Sequence, residues 1–197
     1  MKTLDILCDM DGILCNLIKP WLACYNADYA ECDEEELSIA DITQHAMHKL
    51  TPIGRDIYKY INMPGWFEQL EPLEGGVEGL AQLRGDGHRI FILSSMGRSK
   101  EAVNGKMTWL ERHAPFIDHK HLIFTPAKHM VRGDVFIDDS PDKLAAYKGA
   151  WPGATTMGIT WPYNTEAPMD VRADDCHHPA EAWSTIVHAV RELARQA

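Results

Sequence analysis

Positive charge is scarce in this chain. Over 197 residues, 19 Lys and Arg stand against 29 Asp and Glu, a formal net charge of −10. That argues against a broad surface for duplex nucleic acid or an anionic membrane, because both reward basic patches. A small anionic substrate remains open, since one metal ion and one lysine make a local positive site in an acidic protein. Cysteine is sparse and odd in number: Cys8, Cys15, Cys24, Cys32 and Cys176, with no Cys-x-x-Cys spacing. Neither a disulfide framework nor a zinc ribbon is expected from these, and a reducing cytoplasm is the simpler setting. No run approaches the ~20 apolar residues of a membrane span. Asp5 and Asp9 interrupt the first apolar stretch, so no cleavable leader is expected there. No internal repeat or low-complexity tract occurs.

What is present is an ordinary globular balance, 45% hydrophobic and 24% charged. Short apolar runs rich in β-branched and aromatic residues read as buried strands: 4–8, 88–95, 121–125, 134–139 and 154–160. Helical patterns lie between them. Val77, Leu80, Ala81 and Leu83 keep the 3.6 period up to "GDG". Val103, Met107 and Leu110 do so within 99–113. Ser140 and Pro141 read as the N-cap and first position of a helix. Trp183, Ile186, Val187, Val190, Leu193 and Ala194 form an apolar stripe near the end. Strands alternating with helices predict an α/β fold, a Rossmann-like parallel sheet with helices on both faces.

Residues 16–72 break the alternation. They are aromatic-rich, mostly helical in pattern and without a clear strand. The predicted organisation is therefore a core of residues 1–15 and 73–197, with 16–72 as a small helical cap inserted after the first strand. The acids Glu31 to Glu36 read as a solvated stretch. The cap aromatics Trp21, Tyr25, Tyr58, Tyr60, Trp66 and Phe67 read as packing residues first and base-stacking residues second; exposed, they would suit a homodimer. His119, His121, His177 and His178 lack a third ligand at useful spacing and read as surface or capping residues.

In an open parallel sheet, sites form at the carboxyl ends of strands. Four predicted strands end in, or lead to, polar residues: Asp9-Met10-Asp11-Gly12, Ser94-Ser95, Lys128, and Asp138-Asp139. Each has a plain reading alone, as a turn, a helix cap, a surface lysine or an acidic loop. In order, they suit phosphate chemistry. An aspartate can attack phosphorus, and a second carboxylate can move the proton of the leaving oxygen. A hard cation such as Mg²⁺ offsets the repulsion between two anionic reactants. A lysine and a hydroxyl can hold the phosphoryl oxygens.

This set resembles the haloacid dehalogenase superfamily of phosphotransferases. The resemblance implies Asp9 as nucleophile and Asp11 as acid/base, with Ser94, Ser95 and Lys128 on the phosphoryl group. It implies Mg²⁺ held by Asp9, the Asp11 backbone carbonyl and Asp139, with Asp138 beside it or acting through water. The stretches "CDMDGIL", "PGWFEQLEPLEGGVEGLAQL", "FILSS", "GKMTWLERH", "GDVFIDDSPDK" and "ITWPYN" are similar in order and spacing to the 5'(3')-deoxyribonucleotidase family, the cytosolic type C 5' nucleotidases acting on deoxynucleotides. The implied substrate is a small phosphate ester, a nucleoside monophosphate, with no membrane or duplex nucleic acid as partner. Departures are present. Ser94 stands for threonine, Pro126 for an arginine before the lysine, and Leu17 for an aromatic; Arg98 or Arg132 is a candidate for the missing charge. Two alternatives remain: a phosphatase of another small metabolite, and a catalytically weak binding or regulatory domain.

Overall fold

Alternation along the strands sets the layers. In β1 (Asp5–Cys8), Ile6 and Cys8 join one apolar cluster and Leu7 the other. In β4 (Val135–Ile137), Val135 and Ile137 face the first cluster and Phe136 the second. A strand apolar on both faces can only lie between two covering layers. The computed structural model, which describes residues 1–29, 36–97 and 100–196, bears this out. All six strands run parallel, in the order β3-β2-β1-β4-β5-β6. The remaining strands are β2 (Arg89–Ser94), β3 (Leu122–Phe124), β5 (Thr155–Thr160) and β6 (Val171–Asp175). The predicted α/β fold and the five predicted strands are thus present. β6, "VRADD", was not predicted: it is an edge strand in which only Ala173 is buried, so it carries almost no apolar signal.

Helices α2 (Gly76–Gly85) and α5 (Pro179–Gln196) pack together and, with α3 (Lys100–His113), cover the larger cluster. Helix α4 (Pro141–Ala150) covers the other face through Leu144 and Tyr147. Ser140 is at the α4 N-cap as predicted, but its side chain makes no capping bond.

The described residues of 16–72 hold no strand. One regular helix, α1 (Ile18–Tyr29), is followed by short 3₁₀ turns and a 3₁₀ segment at Gly54–Asn62, so the segment is less regular than its sequence suggests. Side chains take over where backbone ladders are missing. Asn26 exchanges hydrogen bonds with the Leu37 backbone, and Asp28 accepts from Lys59 and Tyr60. Trp21, Tyr25, Tyr60, Trp66 and Phe67 are buried, which removes the exposed aromatics that would have suited a homodimer. Glu31 to Glu35, Cys32 and Arg98 lie outside the described residues.

The segment leaves and rejoins the rest of the chain at one place. Cys15 and Pro72 form an antiparallel bridge. The Asn16 N–H donates to the Glu71 carbonyl at 2.9 Å, and the Leu73 N–H to the Leu14 carbonyl at 2.8 Å. Tryptophans pin the adjoining backbone: Trp161 donates to Gly12 O, Trp183 to Ile13 O and Trp109 to Leu70 O.

Candidate active site

The sheet ladder carries two acids past the strand ends. The Asp9 N–H donates to Ile137 O, and the Asp138 N–H to Met157 O. Both side chains therefore emerge at the carboxyl edge of neighbouring strands. Lys128, in the turn after β3, lies between them, with Nζ 2.6 Å from Asp9 Oδ2 and 2.6 Å from Asp138 Oδ2. All three are buried. Asp9 Oδ1 also accepts the Met10 N–H, and Asp138 Oδ1 the Ser140 N–H.

Burial pulls the Asp9 pKa up, but the charges of Lys128, Lys143 and Lys106 together outweigh it and hold the carboxyl well below the usual range. Asp138 goes the other way, raised chiefly by burial. Asp139 is pushed up to about 8 by burial, then by Asp138 and Asp9. Its Oδ2 accepts the Tyr163 hydroxyl, and Asn164 donates to its backbone carbonyl.

Carboxylate oxygens of Asp9, Asp138 and Asp139 lie within 4.8 Å of one another, all buried. Such a knot of buried acids is costly unless a cation relieves it, and an all-oxygen donor set suits a hard divalent ion. The residues present therefore fit a metal of that class. The Asp11 carboxylate is not in the cluster. Gly12 has φ 71°, and a Cβ there would run into the Asp139 carboxylate, so glycine is needed both for the turn and for the close approach.

A second lysine completes the other side. Lys106 of α3 places Nζ 2.5 Å from Asp11 Oδ2, 2.9 Å from Ser94 Oγ and 3.1 Å from the Ser95 carbonyl. Its ammonium also lies 4.6 Å from the Phe67 ring centroid. Gly105 next to it keeps α3 close to the 67–69 turn, since a Cβ there would sit 3.1 Å from Phe67 Cβ. The sequence pattern placed the α3 stripe on Val103, Met107 and Leu110. The buried face is instead Ala102, Gly105, Lys106, Trp109 and Leu110. A lysine between small residues and a tryptophan at helical spacing was the available signal. Lys106 supplies positive charge beside the site where an arginine was expected; Arg132 is exposed and faces the Trp151 ring.

Two cavities meet at this point, sharing Asp11, Leu17, Tyr58 and Ile61. One, of about 270 Å³, also reaches Asp9, Asp139, Lys143, His45 and Tyr163. The other, of about 510 Å³, reaches Ser95, Lys106, Phe67, Arg55 and Asn62. Asp9, Asp11, Ser95 and Asp139 line these cavities, with Ser94, Lys128 and Asp138 buried behind them. Tyr58 lines both cavities and Phe67 the larger, while Trp21 and Tyr25 stack on each other elsewhere. Lys106, Lys143 and Tyr163 were not singled out from sequence. His119, His177 and His178 are exposed, as expected, whereas His121 is half-buried against Phe91. No helix among the described residues is long and apolar enough to cross a membrane.

Residues 2–191 match the family described as 5' nucleotidase, deoxy (pyrimidine), cytosolic type C protein. The chain is 24% identical over 144 residues to the 5'(3')-deoxyribonucleotidase of Bacillus subtilis, covering 73% of this chain and 80% of that protein. It is 28% identical over 146 residues to the Clostridium acetobutylicum protein of the same name, covering 72% and 76%. In fold it is similar to a haloacid-dehalogenase-family hydrolase of Deinococcus radiodurans, solved with phosphate and sodium: TM-score 0.60, 16% identity, 93% of this chain and 96% of that one. A hydrolase of Pseudomonas syringae aligns with TM-score 0.53 and 14% identity, covering 98% and 100%.

Proposed function

The chain belongs to the cytosolic type C family of deoxy (pyrimidine) 5' nucleotidases and is a phosphomonoester hydrolase; from that premise we propose that it hydrolyses deoxynucleoside monophosphates through an aspartyl-phosphate on Asp9, with Mg²⁺. The observation that carries the reading is the pairing of each DxD acid with its own buried lysine, beside a third acidic pair.

Lys128 keeps Asp9 ionised, which a nucleophilic carboxylate requires. Asp9 attacks phosphorus and the bond to the leaving oxygen breaks. Asp11, which lines both cavities, gives that oxygen its proton and then takes one from the water that cleaves phospho-Asp9. Lys106 holds Asp11 Oδ2, leaving Oδ1, whose described partner is the Cys15 thiol at 3.7 Å, for proton transfer. Ser94, Ser95 and Lys128 serve the phosphoryl group. Mg²⁺ bound by Asp9, the Asp11 carbonyl and Asp139 would offset the repulsion between the substrate and these acids. Both Asp138 oxygens are engaged by Lys128 and Ser140 N–H, whereas Asp139 has an oxygen to spare, which favours Asp139 as the direct ligand. The 16–72 segment acts as the cap that receives the nucleoside.

The test is phosphate release from deoxynucleotides, ribonucleotides and sugar phosphates, with Mg²⁺ or chelator, beside Asp9→Asn. Release should concentrate on deoxynucleotides, require Mg²⁺ and fall at least ~10³-fold in Asp9→Asn. Release spread over unrelated esters would sink the nucleotidase reading. An active Asp9→Asn would sink the mechanism.

A further inference from the structure

The site floor holds four carboxylates, Asp9, Asp11, Asp138 and Asp139, and both buried lysines are already committed to them. Carboxyls outnumber lysines there, an excess that one divalent cation would offset. A phosphate monoester then arrives as a near-dianion above its second pKa of about 6. Lys128 and Lys106 meet it only while shared with Asp9, Asp138 and Asp11. Another cation is needed at the opening.

Lys143 is in that position. It lines the smaller cavity together with Asp9, Asp11 and Asp139. Its charge reaches Asp9, Asp138 and Asp139. Yet among the described residues it makes no hydrogen bond or ion pair, although acids surround it. It stands in the first turn of α4, where the helix dipole disfavours a cation and favours an acid such as Asp142. Pro141 opens that helix two residues after Asp139, which fixes Lys143 over the carboxylate knot. The other basic group of that cavity, His45, contributes no charge at neutral pH: desolvation, then Lys143 itself, push it down to about 4.

We propose that Lys143 is a substrate-binding residue that meets the non-bridging oxygens of the incoming phosphate, on the side of the opening away from Lys106 and Ser94. The proposal rests on the phosphatase reading above. Lys143 makes no hydrogen bond to Asp9 or Asp11, so its main contribution falls on ground-state binding of phosphate, in substrate and product alike.

The experiment compares wild type, Lys143→Gln and Lys143→Arg by steady-state kinetics and by calorimetric binding of inorganic phosphate in Mg²⁺. In Lys143→Gln, KM and the phosphate Kd should both rise about tenfold, with kcat within about threefold. Lys143→Arg should restore both to within about threefold. A fall in Tm with KM and Kd within a factor of about two would mark a structural lysine and overturn the proposal. If wild type turns over no ester but binds phosphate in a Lys143-dependent way, the proposed function falls and the binding role stands. If wild type hydrolyses nucleotides and the Gln variant binds phosphate as tightly, only the binding role falls. A wild type that neither hydrolyses esters nor binds phosphate overturns both.

Discussion

Lys128 and Lys106 stand on opposite sides of the DxD loop and are buried to the same degree, 1% and 2% exposed, yet their surroundings differ. Lys128 bridges Asp9 and Asp138, whose own exposures are 4% and 0%, and it touches only groups positioned by the sheet edge. Lys106 holds Asp11, which is 24% exposed, along with Ser94 and the Ser95 carbonyl, and it faces Phe67 from the inserted segment. One lysine closes a sealed electrostatic unit. The other spans the gap between the sheet and the insert. A buried ion pair that loses one partner strands a charge in low dielectric, whereas a wetter carboxylate can turn to solvent.

Lys128→Met should therefore be the harsher change. It strands Asp9 and Asp138 together, and a loss of about 3–5 kcal/mol in urea unfolding is expected, with turnover abolished. A midpoint within about 0.5 kcal/mol of wild type would break the comparison. Lys106→Met should fold with a smaller loss of stability but lose about 10²-fold in kcat, because Asp11 and Ser94 lose a common anchor. Equal stability losses in the two variants would mean that Asp11 is as sealed as Asp9. The pH should also act on the metal-free protein. Asp139 is raised to about 8 in the folded state, while an unfolded aspartate titrates near ~4. Folded protein therefore holds the extra proton between those values, and stability should decline as pH rises from about 4 toward 8. Asp9, lowered in the fold, works in the opposite direction and contributes stability that is lost only in strong acid. Melting in chelator across pH 4–9 should show this decline, and added Mg²⁺ should offset it. A flat profile would place the acids in a wetter setting than the geometry describes.

The same contrast explains what could be read from the chain. Groups at the ends of apolar strands were legible, because the acids after "LDILC" and "DVFI" fall in order with Ser94 and Lys128 at other predicted strand ends. Lys128 was legible through its spacing from them. Lys106 was hidden, since its helix was assigned a stripe by its larger apolar residues, and alanine and glycine at 102 and 105 do not register as a buried face. Tyr163 was hidden because its partner, Asp139, is 24 residues away and no local pattern links them. β6 was too polar to register. The 3₁₀ turns of 39–69 were also beyond reach, since they are short, closed by i→i+3 backbone bonds and tied by distant side chains such as Asp28 to Lys59 and Tyr60, which leave no periodicity in sequence.

The double crossing at Cys15 and Pro72 makes the fold modular. Both ends of the inserted segment depart from a single laced point, so its internal length hardly strains what lies below. Doubling an enclosed loop costs only about 0.6 kcal/mol in closure entropy. A longer, shorter or differently folded segment could be grafted at that junction without shifting the register of any strand. The inserted segment can then be rebuilt as a cassette, while the sheet edge that carries the acids stays as it is.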